Sequence, residues 1–223
     1  EVGGVKVKAG APTRLRINQV SKQTGLEDLL GLSIGCPLDR EDVVHWRVAE
    51  GPRNIVDPDA LCGIMDDIEA VTGMASHPIY QGIIESMSNC VEHAYKSHPE
   101  VTKPMPNNPG WWVFQQVKDK VLSVVVCDLG IGVRRSLPMT LASEDGLLKK
   151  LMYLSRRAKG RDNRALLAAM EYGRTSTKEI ERGKGMRNAH RVVDDLGVSI
   201  FTAMSNSGAY TYSKPNRRMK GTK

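Results

Sequence analysis

Aromatic residues are scarce in this 223-residue chain. Two Phe, three Trp and six Tyr make up 5% of it, so aliphatic and methionine side chains must supply most of any core. Cysteine is scarce as well: Cys36, Cys62, Cys90 and Cys127 are the four, and no two of them form a Cys-x-x-Cys pair. That spacing excludes the common zinc-ligand patterns. Cys90 and Cys127 lie in apolar-rich segments and are expected as buried, reduced thiols, which fits a cytoplasmic setting. No apolar run reaches the length of a transmembrane helix, and no signal-peptide pattern is visible. No internal repeat is visible.

Hydrophobic residues make up 40% of the chain, enough to bury a core and too many for a disordered segment. The length suits one large domain, or one domain with a substantial extension. Lys and Arg number 32 against 25 Asp and Glu, a formal net charge of +7. Such a surface permits contact with nucleic acid or acidic partners. The basic residues are spread along the chain, however. Their one dense cluster, Lys214, Arg217, Arg218, Lys220 and Lys223, reads as a solvated, mobile tail over 214–223.

Residues 5–20 read as extended, with Val5, Val7, Leu15 and Ile17 alternating with polar neighbours and Pro12 between the two runs. Glu27–Leu32 is a short apolar-polar patch interrupted by Gly31. Leu61, Ile64, Met65 and Ile68 fall at helical spacing between Pro58 and Val71, and Gly73 ends that helix. Pro78 suits a helix first turn, so a second helix is expected from there to about Tyr95, with Ile79, Ile83, Ile84, Met87, Val91 and Ala94 as its apolar stripe. Residues 99–110 are a Pro- and Asn-rich loop. Trp111–Val117 and Val121–Cys127 read as two strands about a polar turn, and Val124–Val126 is apolar enough for a central strand. A long insertion runs from Arg134 to Arg182, with helical candidates near Gly146–Arg156 and Asn163–Tyr172. Met186–Leu196 is a further helix stopped by Gly197. Val198–Ala203 and Ala209–Tyr212 form a hairpin through Asn206-Ser207-Gly208. The mixture predicts an α/β (α+β) two-layer sandwich, with a mixed β-sheet and helices on one face.

Three glycine-punctuated or polar segments carry the chemistry. Glu85, Asn89 and His93 are spaced four apart and share one helix face opposite the apolar stripe. The Asn89 side-chain carbonyl is a hard oxygen ligand suited to Mg²⁺. Glu85, one turn earlier, can orient and deprotonate a water beside phosphates. His93 is expected to pack or to hydrogen-bond a neighbour rather than to act in chemistry. In the second segment, Asp128 ends an apolar strand and Gly130 and Gly132 follow. A carboxylate held there can accept from the exocyclic amine of adenine and repels the carbonyl guanine presents in the same place, while the glycines let a ring lie close to the backbone. The third is Gly183-Lys184-Gly185, which opens a helix with Arg182 and Arg187 nearby. Free N–H groups at a helix start bind anions, and Lys184 adds a point charge. The glycine–lysine spacing is not that of a Walker loop, nor do the glycines match the dinucleotide Gly-x-Gly-x-x-Gly pattern.

In this order, with a hairpin after the last, the three segments resemble the GHKL superfamily of DNA gyrase, heat-shock chaperone, histidine kinase and MutL-type ATPases, whose nucleotide-binding unit is the Bergerat fold. Glu85-x-x-x-Asn89 is similar to the family's N-box, Asp128-x-Gly130-x-Gly132 to its first glycine box, and Gly183-x-Gly185 to its second. The resemblance covers residues 77–213 and implies ATP as ligand and Mg²⁺ as cofactor. Asn89 would hold the metal against the triphosphate, Glu85 would be the general base, and Asp128 would read the adenine amine. Gly130 and Gly132 would pack near the base, and Gly183, Lys184 and Gly185 would cradle phosphates. Thr202 falls where many members place a Thr near an adenine-bound water. The stretch from about 134 to 182 would be a mobile lid that orders on ATP binding.

The chain also departs from parts of that family. No phospho-acceptor histidine helix lies upstream, His77-Pro78 lacks an acidic neighbour, and residues 1–76 do not resemble a dimerisation hairpin. Histidine kinases usually carry Asn where this chain has Glu85. The sequence therefore favours a Mg²⁺-dependent ATPase module whose closure changes a protein-partner or homodimer interface. A serine protein kinase of the anti-sigma-factor type is the alternative, since it too uses a Glu. A non-enzymatic, basic nucleic-acid-binding or scaffold domain is the third, and intact Glu85, Asn89 and Asp128 argue against it. Residues 1–76 are an N-terminal extension of unassigned role.

Overall fold

The computed structural model describes residues 10–29, 32–33, 35, 46–72, 77–99, 110–119, 121–141, 153, 159–175, 192–194 and 200–213. The chain divides into two compact units, Glu1–Ser76 with Lys103–Cys127, and His77–Thr102 with Asp128–Lys223. The 103–127 stretch groups with the N-terminal segment rather than with the segments bearing Glu85, Asn89 and Asp128.

The first unit is built on a three-stranded antiparallel sheet. Its strands are β1 (Trp46–Gly51), β2 (Trp111–Lys118) and β3 (Val121–Cys127), in the order β1-β2-β3. β2 and β3 form the expected hairpin, with Lys118 opposite Val121 and Asp119 in the left-handed region at φ 50°. β1, which no sequence signal announces, pairs with β2 from Trp46↔Gln116 to Gly51↔Trp111. The N-terminal stretch thus supplies a sheet edge. On β2, Trp111, Val113 and Gln115 are buried in strict alternation, the period of a strand with one face packed. The Trp111 ring lies so close to Gly51 that any side chain there would overlap it, and its Nε1–H donates to the Ile55 carbonyl at 2.9 Å.

Helices flank this sheet. A 3₁₀ turn (Asp59–Leu61) runs into α3 (Cys62–Thr72), as the Leu61, Ile64, Ile68 spacing predicts, and all three residues are buried. Arg47 of β1 pairs with Asp67 of α3 through Nε and Nη2. Before them come α1 (Leu15–Gln23) and the single turn α2 (Leu26–Leu29). Here the extended reading of Leu15 and Ile17 is corrected: the segment is helical and both side chains are exposed. Two apolar residues two apart cannot separate a strand period from a helix. Instead Gln19 and Ser21 are buried, and Gln23 Oε1 accepts the Trp46 N–H at 3.2 Å. Val5 and Val7 lie outside the described residues.

In the second unit, α4 (His77–Asn89) continues into a π-helical turn, Cys90–Ala94. Ile79, Ile83, Met87, Cys90 and Ala94 are its buried face. Removing each larger member of that stripe from water contributes about 1.5–3 kcal/mol. α5 (Val133–Thr140) and α6 (Arg161–Thr175) pack together through Leu137, Leu141 and Ala168, with Val133, Ala169 and Tyr172 against them. α6 is the helix expected near Asn163–Tyr172. α5 was hidden in the sequence by Pro138, which it carries within its second turn. The stretch expected as a mobile lid therefore contains, in its described part, two packed helices whose Leu141 and Ala168 are fully buried. Apart from Tyr153, which is helical, the candidate helix at Gly146–Arg156 lies outside the described residues.

The unit's hairpin, β4 (Ile200–Ser205) and β5 (Gly208–Ser213), pairs Ser205 with Gly208 about the Asn206–Ser207 turn, close to the expected place. Of the helix expected over Met186–Leu196, residues 192–194 are described and are helical. Tyr212 donates its O–H to Asp194 at 2.8 Å.

The chain is α+β. Every strand pairing among the described residues is antiparallel, in sheets of three and two strands. No parallel pair of the expected mixed sheet is seen among the described residues, and both hairpins close with two-residue turns, which can only give antiparallel neighbours. Among the described residues no helix is long and apolar enough to cross a membrane.

Candidate functional site

Glu85 and Asn89 sit on α4 beside its buried face, both half-buried. Glu85 Oε2 is withdrawn from solvent. The flanking hydroxyls bond back along the helix, Ser86 to the Gly82 carbonyl at 2.7 Å and Ser88 to the Ile84 carbonyl at 2.9 Å. Those bonds occupy Ser86 and Ser88 with the backbone, so the polar face at this level is carried by Glu85 and Asn89.

The second motif packs directly onto the end of that helix. The Ile131 N–H donates to the Ala94 carbonyl at 2.7 Å, and the Leu129 N–H to the Tyr95 hydroxyl oxygen at 3.0 Å. The Cys90 thiol donates to Asp128 Oδ2 at 3.5 Å, and the Gly130 N–H to Asp128 Oδ1 at 2.7 Å. Asp128 is exposed, so its carboxylate has one donor on each oxygen and keeps lone pairs toward solvent.

Both glycines of this loop are required by the fold. A Cβ at Gly130 would overlap the Ala94 carbonyl. Gly132 has φ 77° and ψ 159°, a region open essentially to glycine alone, and a Cβ there would lie 2.6 Å from Asn206 Nδ2. Their expected service is closeness to a ligand ring, whereas the contacts they make are with the π turn and the β4–β5 turn. α5 starts directly after, its Val133 N–H donating to Ser205 Oγ at 2.9 Å.

Thr202 is exposed, its hydroxyl 3.3 Å from that of Thr211 across the hairpin. The hairpin meets the loop through Ser205 and Asn206 instead. Gly183, Lys184 and Gly185 lie outside the described residues, as do Arg182, Arg187 and the basic tail 214–223. The structure therefore brings together Glu85, Asn89, Asp128, Gly130 and Gly132 in one unit. Sequence reasoning missed Cys90, Ala94, Tyr95 and Ser205 as the groups that hold the loop. No short-range pattern marks them, because each partner is at least 34 residues away.

His93 hydrogen-bonds a neighbour, the arrangement expected of it. Its Nδ1 is 3.5 Å from Thr140 Oγ1, and that hydroxyl donates its proton to the Ser136 carbonyl at 3.1 Å. With that proton committed, the Thr140 oxygen is able to accept from a ring N–H at Nδ1. Burial first, and the Lys96 ammonium second, hold the His93 pKa below its ordinary range against the opposite pull of Glu92. An unfolded histidine titrates near pH 6.5. Below that value the unfolded chain takes up the proton more readily than the folded one. Stability is thus full above about pH 6.5 and falls as the pH drops through it, until the folded imidazole protonates in turn. His93→Gln is expected to flatten the fall of Tm between about pH 7.5 and pH 5, measured by thermal unfolding. An unchanged slope would show that other groups set it.

Elsewhere in the unit, Asp162 at the start of α6 accepts from Ser207 Oγ at 2.6 Å, and Asn163 Oδ1 accepts the Ala209 N–H at 2.8 Å. The Ser207 hydroxyl is the main reason the Asp162 carboxyl titrates below its usual range. Among the described residues no group of three or more His, Cys, Asp or Glu stands ready to hold a metal ion. No protein-family model matches the chain, and neither the curated proteins nor the solved structures compared with it give a match.

Proposed function

We propose that the second unit is an adenine-nucleotide module of the GHKL type, with a Bergerat-type fold, that hydrolyses ATP with Mg²⁺. The observation that carries this reading is the fastening of the 128–132 loop to the end of α4. Asp128 touches Cys90, the residue next to Asn89, and the Ile131 N–H bonds to Ala94. A base-reading carboxylate and a metal-ligand amide are thereby parts of one packed element pair.

The residues present fit such a ligand in their donor chemistry. The Asn89 amide oxygen would hold Mg²⁺, with phosphate oxygens and water completing a hard-oxygen shell, so no protein cluster of carboxylates is needed. When bound, the ion supplies neutralisation of phosphate charge. Asp128 keeps accepting capacity for an exocyclic amine after its two internal donors are counted. Glu85 takes the proton of the attacking water at a carboxylate oxygen. The water oxygen bonds to the γ-phosphorus, and the bond from that phosphorus to the β–γ bridging oxygen breaks, releasing ADP and phosphate. Closure over the nucleotide would then alter a surface for a protein partner or a second copy of the chain. The exposed thiol of Cys62 suits a cytoplasmic setting.

A thermal-shift titration with ATP and GTP, with and without Mg²⁺, tests the reading. ATP with Mg²⁺ is expected to raise Tm, and GTP is not. Asp128→Asn is expected to weaken ATP binding at least about tenfold, the scale of one hydrogen bond to a charged group, with the apo protein still folded. Unchanged affinity in calorimetry would overturn the adenine role.

A further inference from the structure

We propose that Tyr95 and Cys90 are positioning residues that aim Asp128, and so set the preference for an amine over a carbonyl at the purine 6-position. The inference rests on the reading of Asp128 as the base reader and adds the groups that hold it.

The π turn Cys90–Ala94 and the following Tyr95 offer three groups to the loop. Cys90, 5% exposed, reaches Asp128 Oδ2 through its thiol. The Ala94 carbonyl takes the Ile131 N–H. The half-buried Tyr95 places its hydroxyl 3.0 Å from the Leu129 N–H, one residue from the carboxylate. The chain thus fixes residues 128, 129 and 131 in succession, and Gly130 between them lies flush against Ala94.

An exposed carboxylate on a loop would otherwise rotate freely, and its attraction for an amine would be averaged over orientations. Two donors, one per oxygen, lock its plane. A locked acceptor discriminates more sharply than a mobile one, because a 6-oxo purine then presents an acceptor to an acceptor that cannot turn away. The π turn is also where α4 departs from its α-helical repeat, directly after Asn89. Extra turns of this kind recur at functional sites, where they reposition the side chains that follow.

The test compares ATP with inosine triphosphate, which differs by having a carbonyl in place of the 6-amine. Affinities of both are measured by calorimetry for the wild type, Tyr95→Phe, Cys90→Ala and Cys90→Ser, and folding is checked by thermal unfolding. The wild type is expected to prefer ATP. Tyr95→Phe, which removes only the hydroxyl, is expected to reduce that preference about threefold to tenfold, the scale of one lost hydrogen bond, through weaker ATP binding alone. Cys90→Ala is expected to act likewise, and Cys90→Ser, which keeps a donor, to retain more of the preference than the alanine variant. Equal weakening of both nucleotides would reveal general structural support and overturn the proposal. So would wild-type preference in both Tyr95→Phe and Cys90→Ala, with Asp128 keeping its role. A wild type that binds the two nucleotides equally would overturn the reading of Asp128 and this inference together.

Discussion

Glu85→Gln is expected to slow ATP turnover by about 10²–10⁴-fold, the usual contribution of a positioned general base, while ATP affinity stays within about threefold of wild type. The substitution keeps the length and shape of a side chain whose Oε2 is withdrawn from solvent, so packing around α4 is preserved. It removes only the ability to accept a proton from water. The neighbouring hydroxyls cannot substitute, because Ser86 and Ser88 are engaged with backbone carbonyls one turn back. The split between rate and affinity is the informative part. Steady-state phosphate release gives the rate, and calorimetry with ATP and Mg²⁺ gives the affinity. A variant that hydrolyses ATP as fast as wild type would remove Glu85 from the chemistry. Loss of both rate and affinity would make it a binding group instead.

Gly130→Val is expected to destabilise the second unit by about 3 kcal/mol, at the upper end for overpacked positions. In a chain of this size that corresponds to a fall in Tm of roughly 6–12 °C. A Cβ at this position would overlap the Ala94 carbonyl oxygen and lie 2.5 Å from the Ala94 Cβ and 2.6 Å from its carbonyl carbon. Two of those three atoms are backbone, so no rotamer change relieves the clash. Either the loop or the end of α4 must move. Movement breaks the Ile131–Ala94 hydrogen bond and withdraws Asp128 from Cys90. Nucleotide binding is therefore expected to fail together with stability. Gly82→Ala on the same helix is the control. There a Cβ meets only Val192 Cγ2 at 3.4 Å, and removing a helix-interior glycine is worth about 0.5–1 kcal/mol in the stabilising direction. Equal Tm values for the Gly130→Val variant and the wild type in thermal unfolding would contradict the packing described here.

The helix bearing Glu85 and Asn89 was legible because its stripe of Ile79, Ile83, Met87 and Ala94 repeats over about four turns, long enough for the period to be unambiguous. The β2–β3 and β4–β5 hairpins were legible because apolar runs flank short polar turns. α1 was not: two apolar residues at 15 and 17 fit a strand as well as a helix, and the residues it buries, Gln19 and Ser21, are polar. α5 was not, since Pro138 reads as a helix breaker and the packing of Leu137 and Leu141 on Ala168 outweighs that preference over a helix of two turns. In the site, Asp128, Gly130 and Gly132 stood out by residue type, but the reason for the glycines differed. Their missing side chains make room for Ala94, Ser205 and Asn206.

By itself the sequence determined the local elements and the chemical inventory: an amphipathic helix carrying a carboxylate and an amide one turn apart, and an Asp followed by two glycines. Those follow from periodicity and side-chain chemistry, which act over a few residues. Only the tertiary structure decided that β1 joins the β2–β3 hairpin, that α5 and α6 form a packed pair, and that the Asp128 loop is fastened to the π turn through Cys90, Ala94 and Tyr95. The loop's contacts join residues at least 34 apart in the chain. Their energy depends on burial and on donor–acceptor geometry that exist only after the chain has closed on itself.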